Sequence, residues 1–188
     1  MDKPVAVLIP VKAFNNAKKR LSQELDERDR SLLMQKMAKK VVKASGTFPV
    51  WVVCDDDEVA DWATSVEASV IRVREPGLNK AIETGVDQLA NNGFNTVIIA
   101  HADLPYAEDL TWCADFKGIT IIQDRQGDGT PVLVIPTNIG FRFSYGPGSF
   151  AAHKIEAKRL GVPYRDLLDS KLSFDLDNPA DLAQIKSI

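Results

Sequence analysis

A handful of short segments in this chain combine residue types able to hold phosphate groups or a metal ion. Pro10-Val11-Lys12 and the nearby Ala17-Lys18-Lys19-Arg20-Leu21 gather lysines and an arginine ahead of a long amphipathic segment. Lysine offers phosphate oxygens a point charge and arginine a forked set of donors, so a polyphosphate suits this loop; a solvated basic loop is the alternative. In His101-Ala102-Asp103-Leu104-Pro105 a lone acid follows an apolar run. Asp103 there can hold Mg²⁺ against a nucleotide phosphate, because Mg²⁺ takes one or two carboxylates and leaves its other positions to phosphate and water. Asp175 and Asp177, in Phe174-Asp175-Leu176-Asp177-Asn178-Pro179, alternate along an extended run, which puts both on one side as a second contribution to the same metal site. Asp177 or Asn178 serves equally well as cap of a helix beginning at Pro179. Two glycine loops remain, Gly127-Asp128-Gly129-Thr130 and Tyr145-Gly146-Pro147-Gly148-Ser149-Phe150, the second leading into a helix. Glycines before a helix N-terminus let backbone N–H groups approach an anion, and Ser149 either caps that helix or donates to a phosphate or carboxylate. The basic loop lacks the glycines of a Walker loop or a Gly-x-Gly-x-x-Gly turn, which argues against a P-loop NTPase and a dinucleotide-dependent dehydrogenase.

Short β-branched runs alternating with helical patterns must position these residues, and that alternation predicts βαβ units with a mainly parallel sheet. In such a sheet ligands bind outside the carboxyl ends of the strands, where the segments above lie. Strands are expected at Val5–Ile9, Val50–Cys54, Val70–Val73, Thr96–Ala100, Ile119–Ile122, Val132–Ile135 and Leu172–Leu176. Glu27–Ala44 reads as an amphipathic helix, with Leu33, Met37 and Val41 on one face and Arg28, Arg30, Lys36, Lys39 and Lys40 on others. Asp55, Asp56 and Asp57 most economically cap and charge-match the helix that follows them. Leu78, Ile82, Val86 and Leu89 mark a helix stopped by Asn92-Gly93; Ser149–Leu160, ended by Gly161, and Pro179–Lys186 complete the set.

The chain has 188 residues, 45% of them hydrophobic and 26% charged, enough for one domain with a sizeable core. Lys plus Arg number 23 and Asp plus Glu 26, a formal charge of −3, so nucleic acid is a poor partner. Cys54 and Cys113 form no close Cys-x-x-Cys or Cys/His pattern, which signals reduced thiols rather than a disulfide framework or a zinc site. The short apolar run Val5–Val11 is interrupted by Pro10 and reads as a strand, not a signal peptide. No stretch approaches the roughly 20 apolar residues that span a bilayer, so the expectation is a cytoplasmic protein without membrane contact.

Taken together, in order and over most of the chain, these segments resemble the guanylyltransferases of coenzyme F(420) biosynthesis (CofC/FbiD type), within the MobA-like nucleotidyltransferase superfamily. The resemblance rests on Pro10-Val11-Lys12, Ala17-Lys18 with Arg20-Leu21, Gly77-Leu78-Asn79 with Ala81, and His101-Ala102-Asp103-Leu104-Pro105. It continues through Asp128-Gly129-Thr130, Gly146-Pro147-Gly148-Ser149-Phe150 with His153, and Asp175-Leu176-Asp177 with Pro179-Ala180-Asp181-Leu182. It implies a single-domain, Rossmann-like GT-A nucleotidyltransferase fold over residues 1–188. It further implies transfer of GMP from GTP to 2-phospho-L-lactate, phosphoenolpyruvate or 3-phospho-D-glycerate, with Mg²⁺ as cofactor and pyrophosphate released. By position, Lys12, Lys18 and Arg20 would meet the triphosphate, Gly77 and Asn79 the base or ribose, Asp103 with Asp175 or Asp177 the metal, and Thr130, Gly146 and Ser149 the acceptor. Neither histidine is expected to catalyse: His101 is expected to orient its loop or Asp103, and His153 to lie on the helix after Gly146-Pro147-Gly148-Ser149-Phe150. Pro131 and Asn178 depart from the family pattern, where a polar residue and threonine are usual. A homodimer is compatible with the fold class. Rival readings are another nucleotidyltransferase or a sugar transferase of the same fold, or a noncatalytic nucleotide-binding module; the Asp-x-Asp motif of a sugar transferase is missing where Leu104-Pro105 follows Asp103.

Overall fold

Val5–Pro10 (β1) is buried almost end to end, and a strand apolar on both faces belongs at the centre of a covered sheet. In the computed structural model, which describes residues 4–75 and 77–185, β1 lies between Val50–Cys54 (β2) and Thr96–Ala100 (β4) and runs parallel to both. Ser69–Arg72 (β3), Ile119–Ile122 (β5), Val132–Pro136 (β6) and Tyr164–Leu167 (β7) complete a seven-stranded sheet in the order β3-β2-β1-β4-β6-β5-β7. Only β6 is antiparallel to its neighbours β4 and β5. That reversal matters for the site, because it starts β6 beside the carboxyl end of β4, with Val132 opposite Ala100.

Helices cover both faces. Glu27–Ala44 (α1) and Asp57–Ser65 (α2) pack Met37, Val41 and Ala63 against Val7 and Ile9. Leu78–Asn91 (α3) and Ser149–Leu160 (α4) pack Ile82, Leu89 and Ala157 against Leu8 and Ile99 on the other face. Gly85 lets α3 ride close on β1: a Cβ there would stand 2.7 Å from Leu8 Cδ2. Asp56 caps α2 by accepting from Val59 N–H at 3.0 Å, as the aspartate run predicts. The short helix Pro179–Gln184 (α5) carries its proline in the first turn.

Three local expectations are corrected. Leu172–Leu176 is not a strand: Leu172, Phe174 and Leu176 are buried as their alternation suggests, but the segment joins no ladder. The last strand is β7, whose mixed sequence Tyr-Arg-Asp-Leu hides it; as an edge strand on β5 it needs no apolar face. Arg30, expected on a face of α1 other than the apolar one, is buried with Met34, Met37 and Val41 and donates from Nη1 to the Leu25 carbonyl at 2.9 Å. α5 stops at Gln184, and Lys186, expected as its end, lies outside the described residues.

Candidate active site

A cleft of about 370 Å³ runs across the carboxyl ends of β3, β2, β1 and β4. Lys12 and Lys18 reach it from the loop after β1, Asp55 from the end of β2, Glu75 from beyond β3, and His101 and Asp103 from beyond β4. Gly77, Leu78 and Ala81 at the start of α3 close its side. The sheet order therefore grades the cleft chemically: apolar walls and carboxylates toward β2 and β3, cations toward β1, and a carboxylate cluster at β4.

That cluster is built by two loops and the C-terminal segment. Lys18 Nζ lies 2.5 Å from Asp103 Oδ2 and 3.0 Å from Asp177 Oδ1. To deliver its side chain there Lys18 adopts φ 51°, ψ 42°, a left-handed conformation uncommon for a residue with a Cβ. Such strain concentrates at functional sites, held by the surrounding structure. Leu176 N–H donates to the Asp103 carbonyl at 3.1 Å, which pins the extended 175–177 segment against the β4 loop. With Leu176 fully buried, Asp175 and Asp177 share the opposite side, so the expected alternation holds without a strand. Arg125, from the loop between β5 and β6, pairs with Asp181 at 2.5 Å and stacks 3.7 Å above the Phe174 ring, holding the same segment from its other flank.

The electrostatics of this cluster are unbalanced. Burial opposes the charge on Lys18, but Asp103 and Asp177 outweigh it and hold its pKa above the ordinary lysine value. Burial likewise works against ionised Asp103, and Lys18 overcomes it, holding the carboxyl below the usual range. Asp175 has no such partner; burial and the charges of Asp103 and Asp177 push it up to about 7. One lysine thus serves a group of three carboxyls, and Asp103 Oδ1 is buried with no hydrogen-bond partner. A divalent cation fits that shortfall in charge and that orphaned oxygen. No group of three or more metal-ligating side chains is assembled among the described residues, a number that Mg²⁺ held partly by phosphate and water does not require.

On the other side of β4 the antiparallel start of β6 brings Thr130 to the same edge. Thr130 and Ser149 are buried, with Ser149 Oγ 3.3 Å from Thr130 Oγ1 and His153 Nδ1 3.0 Å from the same oxygen. His153 Nε2 accepts from Ser144 N–H at 3.2 Å. Burial lowers the His153 pKa to about 4, so the ring is neutral and its single proton sits on Nδ1, donated to Thr130. With Ser149 also donating to it, Thr130 Oγ1 has both acceptor positions filled and its own proton free for a further partner.

The residues singled out from sequence fall into three groups. Lys12, Lys18, Gly77 and Asp103 line the cleft; Asp175 and Asp177 adjoin Asp103; Thr130, Gly146 and Ser149 form the neighbouring loop cluster. Arg20 is exposed in a 3₁₀ turn and does not line the cleft. Asn79, expected beside base or ribose, has its amide engaged with the backbone of Tyr145. The two capping alternatives resolve as well. Asn178, not Asp177, caps α5, in a reciprocal box with Asp181; Gly148, not Ser149, is the cap residue of α4. Gly148 N–H is taken by Asp128 Oδ1 at 3.0 Å, so an internal carboxylate already occupies part of the α4 N-terminus. Sequence reasoning missed His153 as the hub behind Thr130; its place one helical turn beyond Ser149 was the available signal. It also missed the Lys18 bridge to the carboxylates, for which charge type alone gave no partner.

Comparison with known proteins gives the family of the chain. A phosphoenolpyruvate guanylyltransferase of Rubrobacter xylanophilus is 34% identical over 97% of this chain and 94% of its own length. A 2-phospho-L-lactate guanylyltransferase of Methanocaldococcus jannaschii is 30% identical over 95% of this chain and 81% of its own. In fold the chain is similar to a Desulfovibrio desulfuricans protein assigned as a nucleotide-diphospho-sugar transferase, with a TM-score of 0.76 at 14% identity over 95% of this chain and 84% of that one. The family described as "Guanylyl transferase CofC like" is matched over residues 5–186, from β1 through the C-terminal helix. With relatives of that kind covering the whole sheet and both loop clusters, the chain belongs to the CofC-like guanylyl transferases and is a nucleotidyltransferase.

Proposed function

We propose that this enzyme transfers GMP from GTP to a small phosphorylated three-carbon acid (phosphoenolpyruvate, 2-phospho-L-lactate or 3-phospho-D-glycerate), releases pyrophosphate, and acts in the cytoplasm in coenzyme F(420) biosynthesis. The observation that carries this reading is the Lys18–Asp103–Asp177 cluster, standing between a nucleotide-sized cleft and a buried hydroxyl pair. Activities of the named relatives on phosphoenolpyruvate and 2-phospho-L-lactate support the choice of acceptor class.

In this reading the guanosine lies across the ends of β2 and β3, where the Asp55 and Glu75 carboxylates suit the N1–H and N2–H₂ donors of guanine. Lys12 and Lys18 bind the triphosphate. Thr130 donates its free hydroxyl proton to the acid's phosphate or carboxylate, with Gly146 and Ser149 completing that pocket. An acceptor phosphate oxygen attacks the α-phosphorus of GTP, a new P–O–P linkage forms, and the bond to the β-phosphate oxygen breaks. The acceptor phosphate is already anionic, so no protein nucleophile or base is required. The work of the site is to hold two anions in line and offset their repulsion. Asp103 with Asp175 or Asp177 would hold Mg²⁺, which supplies charge neutralisation on the triphosphate. Lys18, held by Asp103 and Asp177, would offer its ammonium to the phosphates.

The test is pyrophosphate release by the purified protein with GTP, Mg²⁺ and each acid in turn, run in parallel with ATP and CTP. Coupling to the next transferase guards against a labile product. Release with GTP and at least one acid is expected. GTP binding without turnover across all three acids, or equal release with CTP, would sink the assignment.

A further inference from the structure

At Tyr145 the loop that carries Gly146 and Ser149 is hydrogen-bonded to the first turn of α3, beside the nucleotide cleft, by one side chain. Asn79, in the first turn of α3, accepts from Tyr145 N–H at 2.6 Å and donates from its amide nitrogen to the Tyr145 carbonyl at 3.2 Å. Its neighbours Gly77, Leu78 and Ala81 line the cleft, so a single helical turn touches both the cleft and the loop. No side chain caps α3, and Asn79 is not used for that purpose. The segment 137–148 between β6 and α4 forms no helix or strand. Three backbone N–H groups within 138–148 are anchored from the acceptor half: Arg142 by Glu156, Ser144 by His153 and Gly148 by Asp128. Thr137, at the start of the segment, donates to the Phe94 and Asn95 carbonyls at 2.8 and 3.0 Å; beyond it, over 138–148 and among the described residues, Asn79 supplies the hydrogen bonds to the half of the molecule holding the cleft.

Tyr145 passes the constraint on. Its ring stands 5.4 Å from that of His101, a cleft residue, and 4.7 Å edge-on from His153, which holds Thr130. The Tyr145 hydroxyl and His101 Nε2 are both buried without a partner, so ring packing rather than side-chain hydrogen bonding sets this contact, and register depends on the backbone clamp.

We propose that Asn79 is a positioning residue for the acceptor: by fixing the backbone at Tyr145 it sets the Gly146–Ser149 loop against a nucleotide in the cleft and couples GTP binding to acceptor binding. This rests on the assignment of cleft and loop made above. A nucleotide contacting Leu78 and Ala81 restrains the first turn of α3, and Asn79 transmits that restraint to the loop, so the ordering of one site is already achieved when the other fills.

Asn79→Leu keeps the size and removes both hydrogen bonds. Lys80→Ala, which deletes an exposed Lys80–Glu83 pair one residue away, is the control. Losing two net hydrogen bonds corresponds to about a tenfold rise in the acceptor KM at saturating GTP, with the Kd of GTP in the absence of acceptor within about twofold of wild type. Hydrogen exchange over residues 141–149 should slow when GTP is added to the wild type and to Lys80→Ala, and should not respond in Asn79→Leu. An unchanged acceptor KM, an equal loss of affinity for GTP in the absence of acceptor, or a fall in Tm alone would overturn the proposal. Should the wild type release no pyrophosphate with any acid, the functional reading fails, and the exchange experiment with GTP still decides the clamp: a response in Asn79→Leu equal to wild type refutes it.

Discussion

Lys18→Met removes one charge and keeps most of the side-chain volume, which isolates the ion pairs at the centre of the site. The side chains of Lys18 and Asp103 are 11% and 17% exposed, so their pair is largely desolvated, whereas Asp177 is 48% exposed. Breaking a buried pair by deleting one partner costs about 3–5 kcal/mol, and an exposed pair contributes below about 1 kcal/mol. With some solvent still reaching Asp103, we expect a loss of about 3 kcal/mol near pH 8. Folding holds the Asp103 carboxyl below its ordinary value of 3.8, so its stabilisation is present above 3.8 and fades as pH falls through the lower folded value. Without Lys18, burial acts alone and raises that carboxyl, so the variant can protonate it and recover part of the loss in acid. The difference between wild type and variant, measured by urea unfolding in EDTA, should be largest near pH 8 and narrow in acid as the variant's carboxyl protonates. Added Mg²⁺ should stabilise Lys18→Met more than the wild type, because it meets carboxylates with no competing ammonium. A loss under about 1 kcal/mol near pH 8, or a gap that does not change with pH, would refute a desolvated Lys18–Asp103 pair.

Asp103→Asn should abolish most turnover at saturating Mg²⁺ while the protein still melts cooperatively; near-wild-type activity would remove Asp103 from the metal site. Asp175 is pushed up to about 7, so the stability it contributes is present below its unfolded value of 3.8 and lost as pH rises toward 7. Metal-free Asp175→Asn should therefore gain on the wild type across that interval and hold a constant advantage above it. The separation of the two values sets a ceiling of about 4 kcal/mol, which solvent screening reduces to about 2 kcal/mol; parallel melts at several pH values check it, and equal stability throughout contradicts it. Thr130→Val should raise the acceptor KM at least tenfold, spare the GTP KM, and cost about 1–3 kcal/mol by orphaning His153 Nδ1–H. Ser149→Ala should raise the same constant with a smaller loss of Tm, because Gly148 and not Ser149 is the α4 cap residue.

What could be read from the sequence was whatever obeys a local rule. β1, β2 and β4 are runs of β-branched residues, and α1 and α3 repeat their apolar positions at helical spacing, so the order of elements and the edge bearing the site followed directly. β7 escaped because an edge strand has no apolar signature, and Leu172–Leu176 misled because burying alternate side chains needs no ladder. The antiparallel β6 was equally invisible: its sequence reads the same in either direction, and only the fold reveals that its start lies beside Asp103.

Within the site, residue types were legible and partners were not. Lysines in a loop announce an anion, yet the anions that Lys18 meets in this protein are Asp103 and Asp177, reached across 85 and 159 residues of chain. An asparagine beside the cleft suggests a ligand contact, yet Asn79 grips a backbone 66 residues away. These pairings follow from topology, which no local pattern encodes. The same topology places a left-handed lysine, an orphaned carboxylate oxygen and an aspartate lifted to about 7 together at the end of β4. Each is unfavourable for folding. Stability given up at one point, and relieved there by added positive charge, is what the proposed binding of a cation and a polyphosphate at this place would require.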